Sequence, residues 1–123
     1  MPKKVLLVDD SKTALLMETM ILKQRTSYDC VTAHDGVEAL ACALRENPDL
    51  VLMDVVMPRL NGFETCKRMR LQDTLRNIPI ILVTTRGEEE HVEAGYQCGC
   101  NDYLNKPVKG DELVSLLQSY LGE

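Results

Sequence analysis

Short, unbroken apolar runs alternate along this chain with longer stretches in which apolar and polar positions are mixed at helical spacing. Val5-Leu6-Leu7-Val8, Leu50-Val51-Leu52-Met53 and Ile80-Ile81-Leu82-Val83 have the length and branched composition of strands covered on both faces. Residues 28–33, with Tyr, Val and Thr, read as an edge strand, and a short last strand is expected over 102–105. The intervening segments read as helices. Ser11 offers an N-cap for a helix running toward Arg25. Asp35-Gly36 reads as a turn before a helix over 37–45, with Val37, Ala41 and Leu44 on one face, stopped by Asn47-Pro48-Asp49. Pro58 and Asn61-Gly62 mark a loop before a helix over 63–71, which has Phe63, Cys66 and Arg70 along one side. Thr85-Arg86-Gly87 leads into a helix whose first turn carries Glu88-Glu89-Glu90, acids that complement the helix dipole. The closing helix, over 111–121, has Leu113, Leu116, Leu117 and Tyr120 as its apolar face.

Regular β–α alternation implies right-handed crossovers and a parallel sheet with helices on both faces. The pattern predicts an α/β fold: a flavodoxin-like, doubly wound, five-stranded parallel sheet in the order 2-1-3-4-5 with five helices, residues 1–123 forming one domain. At 45% hydrophobic residues the chain has enough apolar material for a core, and no apolar run approaches the roughly 20 residues of a membrane span. Met1-Pro2-Lys3-Lys4 runs straight into a strand without a signal-peptide core, so a cytoplasmic protein is expected. A net charge of -5 makes direct nucleic-acid binding a poor expectation, and Lys67-Arg68-Arg70 reads as a solvated helix face. The five cysteines are expected to be reduced, with Cys98-Gly99-Cys100 as small apolar filler.

The chemistry gathers at the strand ends. The first strand ends in Asp9-Asp10, the third in Asp54, the fourth in Thr84-Thr85 and the last in Asn105-Lys106-Pro107. A parallel sheet brings these ends to one edge, where ligands bind. Three carboxylates forced together call for a hard cation such as Mg2+, which keeps exchangeable waters. Asp10 and Asp54 are the expected direct ligands, Asp9 acts through water, and the Val56 carbonyl completes the set. Taken alone, Asp9-Asp10 reads equally well as a helix cap. Lys106 is suited to holding a phosphoryl group and Thr84 to donating a hydroxyl. Asp54, alone on a central strand with a flexible loop expected behind it, is the best candidate nucleophile.

In order and at matching spacing, the segments Val-Asp-Asp-Ser, Leu-Met-Asp-Val-Val-Met-Pro, Val-Thr-Thr and Tyr-Leu-Asn-Lys-Pro resemble the receiver domains of two-component response regulators, the CheY-like family. The resemblance spans essentially the whole chain. It implies that Asp54 accepts a phosphoryl group, with Asp9, Asp10 and Asp54 holding Mg2+. It implies that Thr84 moves onto the phosphoryl group, that Tyr103 swings inward in response, and that Lys106 is the active-site lysine, its bond to Pro107 cis. The output is a changed face made by the fourth helix, the last strand and the closing helix. The partners implied are a sensor histidine kinase or histidine phosphotransfer protein upstream and an effector or output domain downstream, with the domain not an enzyme beyond its own phosphorylation and dephosphorylation. Leu15, Leu16 and Met20, surplus apolar residues on the first helix, are candidates for docking the phosphodonor. Without the resemblance, Tyr103 reads as an exposed strand tyrosine. A flavodoxin is disfavoured because Asp9-Asp10 would repel a flavin phosphate. A haloacid-dehalogenase-type phosphohydrolase would need an Asp-x-Asp signature. A receiver used as a phosphorylation-independent interaction domain is the remaining alternative.

Val56 and Arg86 stand two residues beyond Asp54 and Thr84. Val56 has no group to orient water, and Arg86 is long and cationic, so a long-lived phosphoryl group is expected. The double variant Val56→Asn/Arg86→Glu should shorten the phosphoryl half-life roughly tenfold or more, since a polar side chain can then position the attacking water. An unchanged half-life, followed by loss of labelled phosphate, would refute this reading.

Overall fold

In the computed structural model, which describes residues 2–85 and 97–122, five parallel strands form one sheet. They are β1 (Lys4–Val8), β2 (Asp29–Ala33), β3 (Leu50–Asp54), β4 (Ile80–Thr85) and β5 (Asp102–Lys106), in the order β2-β1-β3-β4-β5 expected from the alternation. Among the described residues are four α-helices, α1 (Lys12–Arg25), α2 (Gly36–Glu46), α3 (Gly62–Arg70) and α4 (Gly110–Leu121), and a 3-10 turn at Asp73–Leu75. The remaining expected helix, with Glu88-Glu89-Glu90 and Arg86, lies outside the described residues. No helix among the described residues is long and apolar enough to cross a membrane.

Successive strand residues face opposite ways, and each central strand feeds two cores. Val5 and Leu7, Leu50 and Leu52, and Ile81 and Val83 pack with Leu15 and Leu22 of α1 and with Leu113 and Leu117 of α4. Leu6 and Val8, Val51 and Met53, and Ile80 and Leu82 pack with Ala39, Cys42 and Ala43 of α2 and with Cys66 and Met69 of α3. This double burial is why the runs are continuous rather than alternating.

Three polar residues before helices act as N-caps. Ser11 accepts from the Ala14 N–H at 3.2 Å, as expected. Asp35 accepts from Glu38 N–H at 2.8 Å, and Asn61 from Glu64 N–H at 2.9 Å. Asp35-Gly36 is therefore a helix start rather than a free turn. The face named for α2 also differs: Val37, Ala41 and Leu44 point to solvent, while the small residues Ala39, Cys42 and Ala43 let the helix approach the sheet closely. All five cysteines are thiols without disulfides, and four of them are buried. The hydrogen bond with Cys100 pulls the Cys98 thiol down, but the one with Cys66 and then burial outweigh it and push it up to about 11.

Arg70 departs most from its sequence reading. Its guanidinium donates to the carbonyls of Gly99 (2.9 Å), Leu75 (3.0 Å) and Ile78 (2.8 Å) and to Asn101 Oδ1 (2.8 Å). Asn101 Oδ1 also accepts the Ile80 N–H at 2.9 Å, so one side chain ties α3 to the entries of β4 and β5. Charge-assisted hydrogen bonds of this kind are each worth about 1.5–3 kcal/mol. Arg70→Leu should cost roughly 2 kcal/mol or more in urea unfolding, whereas Arg68→Leu, on the exposed side of α3, should change little. Equal costs would refute the clamp.

Candidate functional site

The strand register decides which polar residues meet at the carboxyl edge of the sheet. Val8 pairs with Met53 and Asp54 with Val83, so Asp9 follows β1 beside Asp54. Asp9 and Asp54 continue the Val5/Leu7 and Leu50/Leu52 series that faces α1 and α4, and Lys106 continues the face of Leu104. Thr84 and Tyr103 belong to the opposite series, with Ile80 and Leu82. Thr84 pairs with Asn105, and Thr85 with Lys106.

Lys106 Nζ donates to Asp9 Oδ2 and to Asp54 Oδ2, both at 3.1 Å. Asp9 and Asp54 are buried, while Asp10 is exposed. Burial alone would lower the Lys106 pKa, but the hydrogen bond to Asp9 and the charge of Asp54 outweigh it and hold the ammonium above its ordinary range. Asp54 moves the other way. Burial, then the Asp9 charge, raise it from 3.8 to about 6, with Lys106 holding it back. One ammonium does not neutralise three acids. Carboxylate oxygens of Asp9, Asp10 and Asp54 lie within 4.8 Å of one another, and an all-oxygen set of this size fits a hard divalent cation. Asp9 also accepts the Ser11 N–H at 2.9 Å, a turn contact just before the helix whose N-cap is Ser11, so the expected helix cap is Ser11 rather than Asp9.

Thr84 is buried, and its hydroxyl donates to Asn105 Oδ1 at 3.4 Å. Tyr103 is half-buried against the α2/α3 core, not an exposed strand tyrosine. Val56 is 57% exposed, with its N–H directed at Asp54 Oδ1 at 3.4 Å. The Lys106–Pro107 peptide is cis, as the resemblance implies. The loop behind Asp54 is tied down rather than free: Gly62 N–H donates to Val55 O at 2.9 Å, and Arg59 pairs with Asp35 at 3.2 Å. Gly62 packs against the Asp54 backbone, where a Cβ would come 2.5 Å from the Asp54 carbonyl oxygen. Of the docking candidates, Leu15 is core at 5% exposure, because it lies on the inner stripe of α1. Leu16 and Met20 are exposed, and Met17, which the sequence reading omitted, is exposed beside them.

A family model for the response regulator receiver domain matches residues 5–118. The chain belongs to that family. It is 34% identical over 126 residues to the polar-differentiation response regulator DivK of Brucella anthropi, covering 100% of this chain and 99% of DivK. It is 38% identical over 121 residues to the alkaline phosphatase synthesis transcriptional regulatory protein PhoP of Bacillus subtilis. That match takes in 98% of this chain and spans about half of PhoP (49%). The receiver domain of the sensor histidine kinase PA1611 from Pseudomonas aeruginosa has the same fold, with a TM-score of 0.91, 32% identity and full coverage of both chains. That structure carries a magnesium ion coordinated in the active-site cleft. The receiver is thus a phosphorylation-activated signalling switch of the two-component type.

This receiver has a further acid at its site that the sequence reading missed. Glu18 lies on the inner stripe of α1 with Leu15 and Leu22 and is 4% exposed. The signal was available, since an acid three residues after Leu15 and four before Leu22 falls in a helix's buried stripe. Burial first, then the Asp9 charge, raises its carboxyl to about 8, opposed by Lys106. An unfolded Glu18 would titrate near 4.5. Across that window the folded chain keeps a proton the unfolded chain has released, so this contribution to stability is full at low pH and is lost as pH rises through about 8. In metal-free buffer, the stability advantage of Glu18→Gln over the wild type should widen from about pH 5 to about pH 8 and level off above that. A pH-independent difference in urea unfolding would contradict the assignment.

Proposed function

We propose that Asp54 is the phosphoryl acceptor of this receiver, that Lys106 and Thr84 steady the phosphoryl group, and that residues 1–123 act as one switch domain. The observation that carries the reading is the Lys106 ammonium, 3.1 Å from both Asp9 and Asp54, at the end of the central strands. In the step proposed, an Asp54 carboxylate oxygen attacks phosphorus. The new O–P bond replaces the N–P bond to the donor histidine, and the imidazole leaves with its electron pair. The Asp54 carboxylate must be ionised to attack, and Lys106 favours that form.

Three carboxylates and one ammonium leave the cleft negative, which opposes the approach of a phosphoryl group. Asp9, Asp10 and Asp54, with the Val56 carbonyl, would hold Mg2+, whose charge offsets that repulsion. Phosphorylation adds roughly two negative charges beside Thr84. The Thr84 hydroxyl leaves its long bond to Asn105 for the phosphoryl oxygens. Thr84 and Tyr103 share one face of the sheet, so the space Thr84 vacates is open to Tyr103. The resulting change is read on the surface formed by β5, α4 and the segment after β4. The phosphodonor is a histidine kinase or phosphotransfer protein that docks over α1 through Leu16, Met17 and Met20, and the target is an effector or a linked output domain.

Incubation with acetyl phosphate and Mg2+ should add one phosphoryl group by intact mass, and Asp54→Asn should add none. Lys106→Met should keep the fold and lose at least about tenfold in labelling rate, the scale of one charge-assisted contact. Absence of an adduct in the wild type would favour the phosphorylation-independent interaction domain.

A further inference from the structure

A groove of about 250 Å3 opens between α1 and the turn after β5, next to the acidic cleft but separate from it. Its walls are apolar: Ala14, Met17 and Ile21 on one side, Pro107 and Val108 on the other. Four polar residues join that lining: Ser11 and Thr13, which are exposed, and Lys106 and Glu18, of which Glu18 is buried. Lys106 is satisfied by Asp9 and Asp54. Glu18 is more than nine-tenths buried, lines the groove, and has no hydrogen-bond or ion-pair partner among the described residues. Buried polar groups are normally paired, because leaving one unpaired costs its full desolvation. An unpaired acid at the end of an apolar slot is the complement of a donor on an apolar stem.

The surroundings decide what kind of donor. Asp9, Asp10 and Asp54 outnumber Lys106, so the local field favours a cation. Met17, in the lining, is 54% exposed, and the exposed Leu16 and Met20 extend the apolar surface along α1. An anchor pocket with a water-excluding apolar rim is how protein interfaces place their strongest contacts. Lys106 forms part of both groove and cleft, so whatever sits here sits beside Asp54. We propose that this groove receives a long basic side chain, lysine or arginine, from the protein that delivers the phosphoryl group, its cationic tip against Glu18. The proposal rests on the receiver reading for the identity of that partner, and on the groove alone for the chemistry of the anchor. Glu18 releases its proton to solvent as the cation seats against it, acts in partner selection and takes no part in the transfer.

The test uses n-butylammonium and n-propylguanidinium as side-chain equivalents, with n-butanol as the neutral control, followed by amide NMR shifts of the full chain. Saturable shifts at Met17, Glu18, Ile21 and Val108 are expected with a cation, and Glu18→Gln should weaken binding about tenfold or more, as loss of a charged hydrogen bond does. Met17→Lys, which sets an ammonium of the chain's own at the mouth, should abolish binding. Dispersion of the same spectra reports whether each variant is folded. Equal binding of n-butanol, equal binding to Glu18→Gln, or no saturation by either cation would overturn the proposal. Acetyl phosphate labelling of the wild type is run in parallel. Its failure would strike the acceptor role of Asp54 and leave the groove result standing.

Discussion

Carboxylates repel one another, and this sheet holds Asp9, Asp10 and Asp54 together nonetheless. The force that permits it is the pair of 3.1 Å contacts from Lys106 to Asp9 and Asp54 across three strands. Much else follows from that arrangement. The ammonium has to reach back from an edge strand, so β5 must be paired with β4 in one register and no other. The acids must leave β1 and β3 on the same side, which the two-residue period delivers only if both strands end in phase. Lys106 leaves the acids under-neutralised, so the cleft retains a standing demand for positive charge. A receiver needs that demand, because it has to draw in a cation and then a phosphoryl group on the same few atoms.

The alternation of apolar runs and amphipathic stretches made the parallel sheet readable, because continuous burial on both faces leaves an unbroken apolar signature, while the strand order came with the flavodoxin-like fold that such units fit. The positions of Asp9, Asp54 and Thr84 were readable for a related reason: each is the first polar residue after such a run, while Lys106 follows Asn105 at the end of the short last strand. What stayed hidden depends on packing. Val37 and Leu44 read as a core face by hydrophobicity, yet alanine and cysteine take the inside of α2 because the helix must come close to the sheet. Arg70 reads as one more surface cation, and only the fold shows three carbonyls and an amide oxygen converging on its fork. Glu18 is the exception: its place between Leu15 and Leu22 on the inner stripe of α1 was readable by spacing and was passed over.

The face on which a side chain leaves its strand also sorts the site by role. Asp9, Asp54 and Lys106 share the face of α1 and α4 with Glu18, so the charged groups lie together. Thr84 and Tyr103 share the other face with α2 and α3. The charged groups and the Thr84–Tyr103 pair thus lie on opposite faces of one sheet, and β5 contributes a residue to each.

The tight seat of Gly62 against Asp54 adds a mechanical consequence. There is no room between the α3 N-terminus and the Asp54 carbonyl, and Gly62 N–H is bonded to Val55, so that wall is stiff. On the other side the Thr84 hydroxyl has, among the described residues, one contact, 3.4 Å long, to Asn105, so that wall is the more yielding of the two. A load applied at Asp54 is deflected by the first wall and absorbed by the second. The direction in which the domain yields is thus built into the unequal stiffness of its two walls, before any partner is present.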